Sequence, residues 1–329
     1  TETNASAILG LMVRPVELLQ QLVGLIDAPH RLCRATGIGV VAEGHLPVGL
    51  ADLPEGNFNF ELSRLGKTIA GLKNVTAATH NPDDMYGDAS EPAAVREKAE
   101  QVGLSAEQQT LVKQLRGLTD ARQVEVQGAS LPAEIRLYVA GAVAFATGDH
   151  PLAIEYFNKV LALPADQRPL RSTWAAYSLG RAWFAMSAEA GDVIEVLEEA
   201  RAAFRQARQM SIDGFSDPLE LGVASLGEEA RVLRTAGDWS GAIELYEAQN
   251  LHGSAVGYTS LKQLMNELAG LPENELADVL QRKAVQQLVT ASLVSPPRRE
   301  CTRPPVPMTS ANRISRGRGA SWMPISMLL

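Results

Sequence analysis

The strongest constraint on this chain is that it repeats itself. Gly148-Asp149-x-x-x-Ala153-Ile154-Glu155-x-Phe157 recurs as Gly237-Asp238-x-x-x-Ala242-Ile243-Glu244-x-Tyr246, with Ala200-x-x-x-Phe204 between the copies. The Ala-to-aromatic element thus returns after 47 and then 42 residues, a repeat with insertions. Its residue types share one physical reading. Gly-Asp ends one helix and caps the next, the small Ala lets the second helix press on the first, and an aromatic one turn later fills the gap. Upstream of each copy a glycine falls inside a helical pattern, at Ala140-Gly141, Leu179-Gly180 and Leu226-Gly227. Gly within a helix costs about 1 kcal/mol against Ala, so three at equivalent places predict close helix crossings.

Composition agrees with helices. Ala, Leu and Glu carry much of the chain, β-branched runs are scarce and aromatics make up only 5% of it, which argues against an all-β fold. With 329 residues and 46% hydrophobic content, the chain can bury the core of about two domains or one longer solenoid. Its formal charge of -8 disfavours a general affinity for phosphate backbones. The charge is unevenly placed: from Ser295 onward six Arg face one Glu, so that end is +5 and the preceding residues are -13. Nucleic-acid binding is therefore expected only weakly, through this Arg-rich tail. Cys33 and Cys301 stand at opposite ends, so no disulfide framework is indicated.

Four segments follow. Residues 1–48 hold an amphipathic helix, bent at Pro15, and then a Gly-rich loop. Arg14, Glu17, Gln20 and Gln21 interrupt that helix short of the ~20 apolar residues a membrane span needs. Residues 49–125 read as helical: apolar residues recur at helical spacing from Glu61 to Leu72 and from Pro92 to Leu118, around a turn at Asn81-Pro82-Asp83-Asp84. Ser90 and Ser105 are the expected helix caps. Residues 126–290 carry the repeats. Residues 291–329, with Pro296-Pro297, Pro304-Pro305 and Arg316-Gly-Arg318-Gly, read as a disordered tail whose lack of Lys and Asp is foreign to the body of the chain.

The spacing of small residue, Gly-Asp, Ala and aromatic resembles the tetratricopeptide repeat, most closely from Ala140-Gly141 through Phe157 to Pro164. The second copy carries eight extra residues around Ser187 to Asp192, and in the third Gly227 to Gly237 is three residues too long. The resemblance implies an all-α fold, an α-α superhelix of three hairpins. Longer stretches, Pro54-Glu-Gly-Asn-Phe-Asn-Phe-Glu-Leu, Pro132-Ala-Glu-Ile-Arg-Leu-Tyr and Arg171-Ser-Thr-Trp-Ala-Ala-Tyr, are similar to bacterial repeat proteins of unassigned role that are often exported. No signal peptide is visible here, and because the chain opens on Thr its compartment stays open between cytoplasm and export.

In such a superhelix, positions two, five, nine and twelve of each first helix face the concave groove. The resemblance places Trp174, Tyr177, Arg181 and Phe184 there, with Tyr138 and Phe145 in the preceding repeat, at positions five and twelve, and Arg231 in the next under either register. Spacings of three, four and three residues independently put the second-repeat set on one helix stripe. Two readings stand. Rings beside guanidinium groups can hold an extended peptide through area and carboxylate pairing, whereas apolar stripes at this spacing also serve as core.

Other motifs carry bland readings. Gly37-x-Gly39-x-x-Ala42 lacks the preceding strand of a dinucleotide site, and Gly66-Lys67-Thr68 lacks the glycine a phosphate loop requires, leaving Lys67 as a solvated helix residue. The five histidines form no pair at metal-ligand spacing, so no metal or cofactor is expected. Asp83, Asp84 and Asp88 suit a surface turn, Glu228-Glu229 with Arg231 a helix salt-bridge face, and no Gly-x-Ser-x-Gly elbow is present. The expectation is a non-enzymatic scaffold that binds a protein or peptide of unknown identity. Its alternatives are a helical accessory domain of an enzyme acting on a small ligand and a plain structural spacer.

Overall fold

The computed structural model describes residues 62–76, 90–188 and 190–294. The expectations for residues 1–48, for Asn81 to Asp84 and Asp88, and for the tail from Ser295 lie outside them. The described residues form twelve α-helices and no strand. In order these are α1 (Ser90–Gln101), α2 (Ala106–Arg116), α3 (Ala121–Gln127), α4 (Ala133–Ala146), α5 (His150–Leu161), α6 (Ser172–Met186), α7 (Val193–Ile212), α8 (Leu221–Thr235), α9 (Trp239–Leu251), α10 (Ala255–Ala269), α11 (Glu273–Val279) and α12 (Lys283–Val294).

Local chemistry sets the boundaries. Ser105 caps α2 in a reciprocal box with Gln108, each side chain bonding the other's backbone N–H. The two Gly-Asp turns are the same turn. Gly148 and Gly237 sit at φ +83° and +80°, where any Cβ would be strained. The following Asp149 and Asp238 donate their N–H to Ala144 and Leu233, 2.9 and 2.8 Å away, and their carboxylates accept from Leu152 and Gly241 N–H at 3.1 and 3.0 Å. One helix ends and the next begins within three residues.

From α3 to α10 each helix packs on its neighbours in sequence, and α4 touches α6, α6 touches α8, and α8 touches α10. Every second helix is thus also a neighbour. The glycines mark the crossings. A Cβ at Gly141 would stand 2.7 Å from Cε1 of Phe157, and one at Gly180 2.7 Å from Cε1 of Phe204. Gly227 breaks the series, since a Cβ there would meet the Gln249 side chain rather than Tyr246. The step of sixteen positions from Gly141 to Phe157 is instead matched from Ala230 to Tyr246, both buried in one apolar cluster. The third hairpin therefore keeps the register of the first, with Ala in place of Gly.

Two predicted boundaries move. Residues 66–76 are not helical, although their segment was predicted so, and Lys67 is no helix residue. After a turn closed by Leu65 N–H on the Leu62 carbonyl, the chain runs as an irregular strap across the ends of α7, α8 and α9. Gly66 and Gly71 weaken a helix there, and docking satisfies the backbone from elsewhere. At the other end α12 runs to Val294, so 291–294 belong to the folded body and not to the tail. The core is one apolar cluster from α1 to α8, a second that gathers Leu62 with α8 to α12, and a small third of Leu72 with Val223, Leu226 and Ala248.

Candidate functional site

The seven stripe residues lie on α4, α6 and α8, and the structure divides them by depth. Tyr138, Trp174 and Tyr177 are only 2%, 1% and 5% exposed. Tyr138 and Trp174 meet edge to face at 5.7 Å, and Tyr138 leans on Phe157 at 5.9 Å. Arg171, itself buried, covers this end of the stripe: its guanidinium lies 4.8 Å from the Trp174 ring and 5.9 Å from that of Tyr138. Burial pushes the Arg171 guanidinium down from its usual range, and the charges of Glu100 and Glu134 act against that. Glu134 at the start of α4 accepts from the N–H groups of Leu170 and Arg171 at 3.0 and 2.8 Å. Arg116 at the end of α2 bonds Glu100 on α1 and lies 5.6 Å from the Tyr138 ring. These charged residues tie α1 and α2 across the rings, so the first half of the stripe is interior.

The second half stays half-buried and forms a row across alternate helices. Arg181 on α6 lies 5.2 Å from the centroid of Phe145 on α4. Arg231 on α8 lies 4.7 Å from the centroid of Phe184 on α6 and pairs with Glu228 at 3.0 Å. Glu228 also takes the Tyr177 hydroxyl at 3.5 Å, so one buried carboxylate joins the row to the rings beneath. Burial, with Glu228 opposing ionisation, holds Tyr177 protonated. Phe145 further meets the His150 ring at 5.1 Å. The result is an alternation of ring and guanidinium, with each planar cation set over an aromatic face of the preceding alternate helix.

Sequence spacing set Glu228 and Arg231 on a helix salt-bridge face, and the pair is present; what spacing did not show is that Glu228 is buried beneath the row. Glu229 points elsewhere: it is buried between α8 and α7, where Arg205 reaches it at 2.9 Å and Arg208 pairs with it directly.

Beside the row, a cleft of ≈290 Å³ opens between α1, α2 and α4. Its carboxylates are paired across it, Glu97 with Lys113 and Glu100 with Arg116. Among the described residues no group of three His, Cys, Asp or Glu side chains could hold a metal ion, and no helix is long and apolar enough to cross a membrane. No protein-family model, no curated protein and no solved structure matches the chain.

Proposed function

We propose that the chain is a protein-interaction module, a tetratricopeptide-like superhelix whose groove takes a peptide or protein surface along Phe145, Arg181, Phe184 and Arg231. The observation that carries this reading is the half-buried ring-guanidinium row, drawn from three alternate helices. The contacts of α4 with α6 and of α6 with α8 support a common face, and the matched Gly-to-Phe crossings support a repeat. Partly desolvated aromatic and Arg side chains are the residue types that dominate binding energy where two proteins meet. Tyr138, Trp174 and Tyr177 serve as the floor that holds the row in place, so both readings of the stripe apply, each to one half.

The test is a selection of random peptides on the full chain, with each recovered peptide measured against Phe184→Ala and Arg181→Ala. Loss of binding by tenfold or more in these variants is expected for a peptide in the groove, since central anchors cost 1.4 kcal/mol or more, roughly a factor of ten. Peptides that bind wild type and both variants alike would overturn the assignment.

A further inference from the structure

Both ring nitrogens of His252 are spent on the strap. The Ile69 N–H donates to Nε2 at 2.9 Å, and Nδ1 lies 3.0 Å from Asn74 Oδ1. Nε2 as acceptor fixes the neutral tautomer, with its proton on Nδ1 and donated to Asn74. The His252 carbonyl in turn accepts from Val75 N–H at 2.9 Å. One residue, 1% exposed at the end of α9, therefore holds three points of the strap, and Leu72 seats among Val223, Leu226 and Ala248 between them.

We infer that residues 66–76 form a pH-sensitive latch that lifts from α8 and α9 when His252 is protonated. A proton on Nε2 turns the acceptor of the Ile69 N–H into a donor, so two N–H groups face each other and the bond is lost. No rotation of the ring restores it, because the cation has no acceptor left. The strap then exchanges a buried cation for release, and the apolar seat of Leu72 is uncovered. Burial lowers the His252 pKa, as expected for a ring whose fold demands the neutral form.

The elements that meet at this end of α9 carry the following charged groups. The strap contributes Lys67 and Lys73, both exposed; α9 contributes Glu247, fully buried; Glu220 at the head of α8 bonds Thr76; Asp213 ends α7; the first two turns of α10 carry no charge. Glu247 works in the opposite sense. Its carboxyl is raised to about 7 by burial, so acidification from neutrality favours the closed state at that residue, and a loss of strap contacts in acid cannot come from it.

The test is amide hydrogen exchange of the full chain between pH 7.5 and 5, corrected for intrinsic rates, with His252 followed by its ring nitrogen signals. Protection of Ile69 and Val75 should fall by up to about tenfold per pH unit below the His252 midpoint, for one linked proton, while Ile243 and Leu226 stay protected. His252→Gln retains an acceptor and a donor without a titrating group, and its strap should be pH-independent. Constant protection in wild type, an equal loss in His252→Gln, or loss of Ile243 in step with the strap would each overturn the latch. If His252→Gln does not fold, wild type decides alone: the strap midpoint must coincide with the ring titration, and two separate midpoints refute the inference.

Discussion

Gly180 on α6 presents bare backbone to the ring of Phe204 on α7, so close that a Cβ would stand 2.7 Å from Cε1 and 2.8 Å from Cδ1. Gly141 and Phe157 repeat those two distances in the preceding hairpin. Gly180→Ala gains about 1 kcal/mol of helix propensity, yet forces a fully buried ring from its place, and overpacking of this kind costs about 1–3 kcal/mol. We expect a net loss of up to about 2 kcal/mol in urea unfolding. Phe204→Leu in the same chain should recover part of it, a coupling a double-mutant cycle reads directly.

Much of this architecture is legible in the sequence because it rests on short-range requirements. Gly148-Asp149 and Gly237-Asp238 announce their turns, since few other pairs supply a positive φ and then a capping carboxylate. The strap is illegible for the converse reason. Leu62, Leu65, Ile69 and Leu72 are spaced three, four and three apart, as on a helix, but the first two pack into the cluster of α8 to α12, while the distant His252 holds Ile69 and the apolar seat on α8 and α9 holds Leu72. The stripe shows the same division. Periodicity puts Trp174 and Phe184 on one face of α6, while the depth of each depends on Arg171 and on helices α1 and α2, which no local pattern encodes.

Glu229 and Arg208 form a buried pair between α8 and α7, and Arg208 also bonds Ser225 at 3.3 Å. Removing one partner leaves the other charge unpaired away from water. Glu229→Ala should therefore destabilise by about 3–5 kcal/mol. Arg205 reaches the same carboxylate from a side chain that is 50% exposed, so Arg205→Ala should cost under about 1 kcal/mol. Chemical denaturation of the two variants checks the contrast, and equal losses would mean that the exposed Arg205 pair, and not the buried Arg208 pair, carries the network.

Asp149 and Asp238 each satisfy one backbone donor at the start of α5 and α9. Replacement by Ala should cost about 1 kcal/mol at either site. The two caps belong to different hairpins, so their effects should add within about 0.5 kcal/mol. A double variant much less stable than the sum would show instead that the hairpins are energetically coupled.

Glu247 has no hydrogen-bond partner for Oε1 among the described residues, and Asn250 reaches Oε2 at 3.3 Å. Burial raises its carboxyl to about 7 from 4.5, so the folded chain binds this proton more tightly than the unfolded chain does. The sign follows from linkage. The Glu247 contribution to stability is greatest below the unfolded value, declines as pH rises between the two values, and levels off once the folded carboxyl has ionised. Glu247→Gln keeps the shape and removes the charge, so its advantage over wild type should be larger at pH 8 than at pH 4, by on the order of 3 kcal/mol. Thermal or urea unfolding of both proteins across that range measures the difference. A constant offset would place water or another donor at Oε1, because only an unsolvated carboxylate carries the penalty that makes the two curves diverge.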